Sequence, residues 1–239
     1  MSVDDPTAGS TAATEPVRRR DLAVARSLDS ARLRSEGRVQ RFLDAGFELL
    51  ARAESGKEFT VQEVVDRSGQ SLRSFYQYFA GKHELLLALF DEAILSTADR
   101  LEEQLARQST PLERLHCFVV EYYRMCLPAP KGRTSKNNPT PVMAEFCHQL
   151  LTAHQTEASR AFVPLVSLLE TVLDDAAKAG DVPSDMDHAQ VAGVILSTIM
   201  FNAAYAQTIS GSEKPRDGEH AAAQLWAFLS RGLVTSRPD

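Results

Sequence analysis

From Ser35 onward, nearly every segment repeats its apolar residues at spacings of three and four, and none alternates as a half-buried strand would. The pattern predicts an all-α protein of about nine helices. A first helix is expected over residues 36–53, where Val39, Phe42, Leu43, Gly46, Phe47 and Leu50 form one stripe. Two short helices follow, over 59–68 and 71–79, then a long one from Lys82 to about Gln108. Thr110-Pro111 opens the next, because proline suits the first helical position, and that helix ends before Pro128. The run 128–141 is rich in proline and reads as a loop. Two helices are expected over 142–179, and Pro164 is a position that can bend or break one. Another covers 187–209, and the last covers 219–233.

The short pair carries the sharpest local signals. Thr60-Val61-Gln62-Glu63 is a capping box, with Phe59 and Val64 in the two positions of a hydrophobic staple. Gly69 can stop that helix, and Ser71 can cap the next only two residues later. Two short helices joined by a tight glycine turn form a helix-turn-helix.

At about 100° per residue, Leu72, Phe75, Tyr76 and Phe79 share one side of the second short helix. Gln70, Arg73, Ser74 and Gln77 share the other. The first set is expected to dock the helix and the second to face outward. Arginine pairs bidentately with guanine and glutamine with adenine in a major groove, and serine serves a base edge or a phosphate. A merely solvated face would show the same periodicity, but the capped helix and turn before it favour base reading. Tyr76 and Tyr78, at the edges of the apolar face, can pack and still donate to phosphate. Lys82 opens the following helix, where its ammonium and the helix N-terminus both favour a phosphate.

Charge adds a polarity to this picture. The chain of 239 residues has a formal net charge of −6. Yet Arg18, Arg19, Arg20, Arg26, Arg32, Arg34, Arg38 and Arg41 crowd residues 16–41, against only Asp21, Asp29 and Glu36. That end suits a polyanion, and equally a solvated arginine-rich tail. Residues 1–35 are expected to be a disordered, partly basic arm, with no signal-peptide or anchor pattern at its start. The most apolar run, 191–206, is interrupted by Ser197, Thr198 and Asn202, so no membrane span is expected and a cytoplasmic location is. Cys117, Cys126 and Cys147 form no paired motif and read as reduced core residues. A metal site built from them with His116 and His148 has no supporting spacing, so neither metal nor cofactor is expected. An all-helical enzyme is a rival reading, but no phosphate loop, nucleophile elbow or zinc-protease motif occurs, so no enzymatic activity is expected.

The stretch from Phe59 to Phe90, FTVQEVVDRSGQSLRSFYQYFAGKHELLLALF, resembles the DNA-binding region of the TetR family of bacterial regulators. The resemblance rests on Thr60, Gly69, Tyr76, Phe79 and Lys82 and covers about 55 residues from Arg38. It implies phosphate contacts from Thr60, Ser71, Tyr76 and Lys82 and base contacts from Gln70, Arg73, Ser74 and Gln77. The chain departs from the family pattern at Gln70, Arg73 and Ala80-Gly81. The resemblance further implies a helix-turn-helix domain over 36–82 and a helical ligand-binding and dimerisation domain over 83–239.

The function implied is a DNA-binding repressor, released from a palindromic operator by a small hydrophobic or amphipathic effector. An activator of the same family, or a ligand-binding or scaffolding protein keeping the helix-turn-helix only as structure, are the alternatives. Phe118, Tyr122, Met125, Phe146, His148, Leu150, Phe162, Met200, Phe201 and Asn202 are candidates to contact the effector, though the apolar ones would serve equally as plain core. The stripe Val191, Val194, Ile195, Thr198, Ile199, Asn202, Ala203 and Ala206, and a second of Leu225, Phe228, Leu229 and Leu233, either close the monomer core or build a homodimer through the last two helices.

Overall fold

The structure, a computed structural model, describes residues 19–52, 59–127, 141–210 and 217–234. Among them are nine helices and no strand. They are α1 (Arg19–Arg52), α2 (Val61–Ser68), α3 (Leu72–Tyr78), α4 (Lys82–Leu105), α5 (Pro111–Cys126), α6 (Pro141–Ala153), α7 (Gln155–Lys178), α8 (His188–Ser210) and α9 (Gly218–Leu233). The all-α expectation holds. The start of the tail and the expected loops at Gly56, 128–140 and 211–216 lie outside the described residues.

The chain divides into two compact units, 1–41 and 42–239, with the boundary inside α1. In the first, residues expected to belong to a disordered arm are helical from Arg19. The reason is local: no glycine or proline interrupts residues 19–36, and arginine, alanine and leucine are strong helix formers. Arg32 Nε reaches Glu36 Oε1 at 2.7 Å, one turn on.

In the second unit, Phe42, Ala45 and Leu50 on the C-terminal part of α1 are buried with Phe59, Val64, Val65, Phe75 and Phe79. A Cβ at Gly46 would lie 2.8 Å from a methyl carbon of Leu89, so this glycine lets α1 and α4 approach closely. Further along the chain, α7 packs against α4, α5, α6 and α8, while α5 also carries α8 and α9. Phe118, Tyr123, Leu165, Leu169, Leu173 and Ile199 lie in this larger core. The two expected helices are present, and no break falls at Pro164. Helix α7 runs through it, and the break between α6 and α7 falls at His154, whose φ of −131° and ψ of 53° leave the helical region. Among the described residues no helix is long and apolar enough to cross a membrane.

Candidate nucleic-acid interface

The helix-turn-helix is built from caps upward. Thr60 Oγ1 accepts from the Glu63 N–H at 3.2 Å, and the Glu63 carboxylate accepts from the Thr60 N–H at 2.7 Å. The box satisfies two N–H groups that a short helix would otherwise leave open. Gly69 ends α2 with φ 63° and ψ 24°, left-handed backbone that costs a side chain-bearing residue about 1–2 kcal/mol. Ser71 then caps α3, its Oγ accepting from the Ser74 N–H at 3.1 Å. Arg67 Nη1 donates to Glu48 Oε2 at 2.9 Å and ties α2 to α1.

What orients α3 is aromatic packing. Phe75 is fully buried, edge-on to Phe42 with ring centroids 5.5 Å apart, and Phe79 meets the same ring at 6.1 Å. Edge-to-face pairs of this kind add roughly 0.5–1.5 kcal/mol beyond the area they bury. Because two residues four apart do the docking, the buried line runs through Phe75 and Phe79 alone. Leu72 is 43% exposed and Tyr76 56% exposed, contrary to the expectation that both pack inward. Ser74, expected to face bases, is turned the other way: its hydroxyl oxygen is buried without a hydrogen-bond partner. Tyr78 is half-buried on that same side.

The outward face of α3 therefore consists of Leu72, Arg73, Tyr76 and Gln77. Arg73 and Gln77 are both exposed there, and their side chains are of the types that hydrogen-bond base edges. Leu72 is exposed on this face, which sequence reasoning did not expect, and an isobutyl group there is of the kind that packs against a thymine methyl. The clue was its spacing from Tyr76, which places both beside the helix face rather than beneath it. Gln70 is half-buried, with its side-chain amide 3.5 Å from the Gly69 carbonyl oxygen. Thr60 and Ser71 are exposed while they cap. Lys82 lies at the first position of α4, with Nζ 5.1 Å from the centre of the Phe59 ring. A cation held there over an aromatic face stays on the protein surface near the α4 N-terminus, where an anion is favoured.

Residues 42–89 match the family model of bacterial regulatory proteins of the tetR family. The chain therefore carries a DNA-binding domain of that family. It is a DNA-binding transcriptional regulator. The fatty acid metabolism regulator of Bacillus subtilis is 20% identical over 163 residues, covering 68% of this chain and 79% of that protein. Two solved structures are similar in fold. A TetR-family transcriptional regulator from Pectobacterium atrosepticum has a TM-score of 0.64 at 17% identity, covering 87% of this chain and 99% of that one. The regulator FadR from Bacillus subtilis, solved in complex with stearoyl-CoA, has a TM-score of 0.57 at 15% identity, covering 81% and 98%.

The residues expected to meet an effector separate into two groups. Phe118, Tyr122, Phe146 and Leu150 are buried, and Met125, Phe162, Met200 and Asn202 are half-buried. The Tyr123 hydroxyl donates to Asn202 Oδ1 at 3.3 Å, which turns Asn202 inward. Phe162 and Phe146 both approach the Phe90 ring, at 5.6 and 6.3 Å. His148 and Phe201 instead face outward, Phe201 at 59% exposure. The inner side of α8 is taken by Ala192, Ile195, Leu196 and Ile199, so Phe201 falls on the opposite side, stacked near Tyr205 at 4.8 Å. The same split divides the stripe expected on α9, where Leu225 and Leu233 are buried but Phe228 is 72% exposed. Burial pushes the Cys126 thiol up to about 12 and the Cys147 thiol up to about 11, so both stay protonated and act as small apolar groups.

Proposed function

We propose that this regulator is a repressor that binds a palindromic operator as a homodimer and is released by an elongated amphipathic effector. The outward face of α3 carries the DNA-binding half of this reading: Arg73 and Gln77 stand exposed on a helix fixed by a glycine turn and two buried rings. Arg73 and Gln77 read bases, with Tyr76, Ser71, Thr60 and Lys82 on phosphates. The DNA-binding domain ends near residue 82, and residues 83–239 hold the effector and form the dimer. Val194, Phe201, Tyr205 and Ile209 on α8 and Phe228 on α9 are exposed and apolar, which supports burial against a second subunit. The buried aromatic side chains Phe118, Tyr122 and Phe146 of α5 and α6 are of the kind that would receive a long apolar ligand, which supports that effector class. So does the stearoyl-CoA bound by the Bacillus subtilis protein of similar fold. Release follows if the effector binds better to a dimer whose α3 helices no longer match successive major grooves, about 34–36 Å apart.

The test starts by sequencing genomic fragments retained by the purified protein, then measuring affinity for the recovered site against salt. Arg73→Ala should relax base preference and cost about tenfold or more at the cognate site, whereas Lys82→Ala should weaken binding to all sequences and flatten the salt slope by roughly one. Equal, sequence-independent losses for both variants would remove the base-reading role. Long-chain acyl thioesters should lower operator affinity in the same assay, and an effect absent from them would remove the proposed effector class.

A further inference from the structure

Helix α4 leaves the DNA-binding region at Lys82, and its second residue is His83. Across from it lies the joint between α6 and α7, where His154 sits between the two helices and Glu157 lies in the first turn of α7. The imidazoles of His83 and His154 face one another with ring centroids 5.0 Å apart. Glu157 Oε2 lies 3.0 Å from His154 Nδ1 and 3.9 Å from His83 Nε2. All three potential donor atoms fall within 4.8 Å of one another.

The carboxylate oxygen is the informative atom. Glu157 Oε2 is buried and has no hydrogen-bond partner, although one histidine nitrogen is at hydrogen-bond distance. That contact is an ion pair only when the His154 ring is protonated. The Glu157 side chain is half-exposed, yet this one oxygen is shut off from solvent between two imidazoles, where a positive centre shared with them would be well placed.

We propose that His83, His154 and Glu157 form a binding site for a divalent transition metal of the zinc class. Two imidazoles and one carboxylate are a donor set that zinc accepts readily, with a fourth position left for water. Donors around tetrahedral zinc are about 3.3 Å apart, given metal–ligand distances of about 2.0–2.2 Å. Modest side-chain rotation reaches this spacing, and His83 and His154 are exposed enough to turn. His154 and Glu157 stand three residues apart at one helix start and chelate from one face, while His83 comes from a different helix. That division explains why sequence spacing did not reveal the site. The metal would clamp the first turn of α4, beside Lys82, to the α6–α7 joint and so make effector-domain geometry metal-sensitive.

The experiment is calorimetric titration of Zn²⁺ into full-length, tag-free protein stripped with chelator. One equivalent per chain should bind with a dissociation constant of about 10 µM or tighter. His83→Ala and Glu157→Gln should each weaken binding by about tenfold or more, with unchanged helix content and metal-free melting temperature. Co²⁺ in the same site should give a tetrahedral d–d spectrum without a thiolate charge-transfer band. Wild-type binding weaker than that, or variants that bind as tightly as the wild type, would overturn the assignment. A thiolate band would overturn it too, because it moves the metal to the cysteines. Should one variant fail to fold, the other and the Co²⁺ spectrum still decide.

Discussion

The helices α2–α3 and α8–α9 use apolar residues in opposite ways. Helices of 8 and 7 residues cannot hold themselves in water, so α2 and α3 must be written out locally with caps, a turn glycine and one aromatic anchor. Helix α8, at 23 residues, needs no such help and carries apolar groups on two faces. One face, with Ile195 and Ile199, closes its own core. The other, with Val194, Phe201, Tyr205 and Ile209, stays exposed. A helix apolar on one side belongs to its own fold, whereas one apolar on two sides has surface left for something else.

The largest effect that would break this contrast is expected at Phe75. Replacing a fully buried phenylalanine by alanine costs about 3–5 kcal/mol, and here it also removes the edge contact to Phe42. Phe75→Ala should abolish operator binding and hydrogen-exchange protection in α2 and α3 while α5 and α7 keep theirs. Equal loss of protection in all four would mean that the two regions unfold as one unit, and the contrast would fail.

The same contrast explains what could be read from the sequence. Thr60, Glu63, Gly69 and Ser71 act on neighbours within a few residues, so their roles were legible without a fold. The faces of α3 were legible only in part. Periodicity identifies a stripe but not its centre, and docking through Phe75 and Phe79 against Phe42 turned Leu72 and Tyr76 outward and Ser74 inward. For α8 and α9 the ambiguity was larger, because two apolar faces blur into one broad stripe. Phe201, a candidate for the effector wall on its size and apolar character, lies on the exposed face. The helix over residues 19–35 was missed because charge density suggested a solvated arm, although nothing in its backbone preferences opposed helix.

The second effect is expected at those outer faces. If they are a subunit interface, Phe201→Asp and Phe228→Asp should each weaken dimerisation by about 30-fold, the scale of an interface hot spot of about 2 kcal/mol. Sedimentation should show folded monomers at concentrations where the unaltered chain is dimeric. Unchanged dimers would leave the exposed stripe without its proposed partner. Operator affinity should fall with dimer affinity, since two half-sites are bound together.

The smallest effect concerns how α8 is started. His188, its first residue, places Nδ1 2.5 Å from Asp174 Oδ1 on α7 and Nε2 3.4 Å from the Pro183 carbonyl oxygen. Both ring nitrogens thus face acceptors, an arrangement suited to the imidazolium, which donates from both. The hydrogen bond to Asp174 accordingly raises the His188 pKa above its ordinary value near 6.5. A raised folded-state value means that the contact stabilises fully below the unfolded value and is lost as pH rises through the folded one. The melting temperature should therefore fall slightly from about pH 6 to 8, and Asp174→Asn should flatten that slope. The His188 ring should titrate above 6.5 in the unaltered chain and move back toward it in the variant. The change is small because Asp174 is exposed enough for solvent to screen the pair. A slope unchanged in Asp174→Asn would assign the pH dependence to other groups and leave the α7–α8 turn held by packing alone.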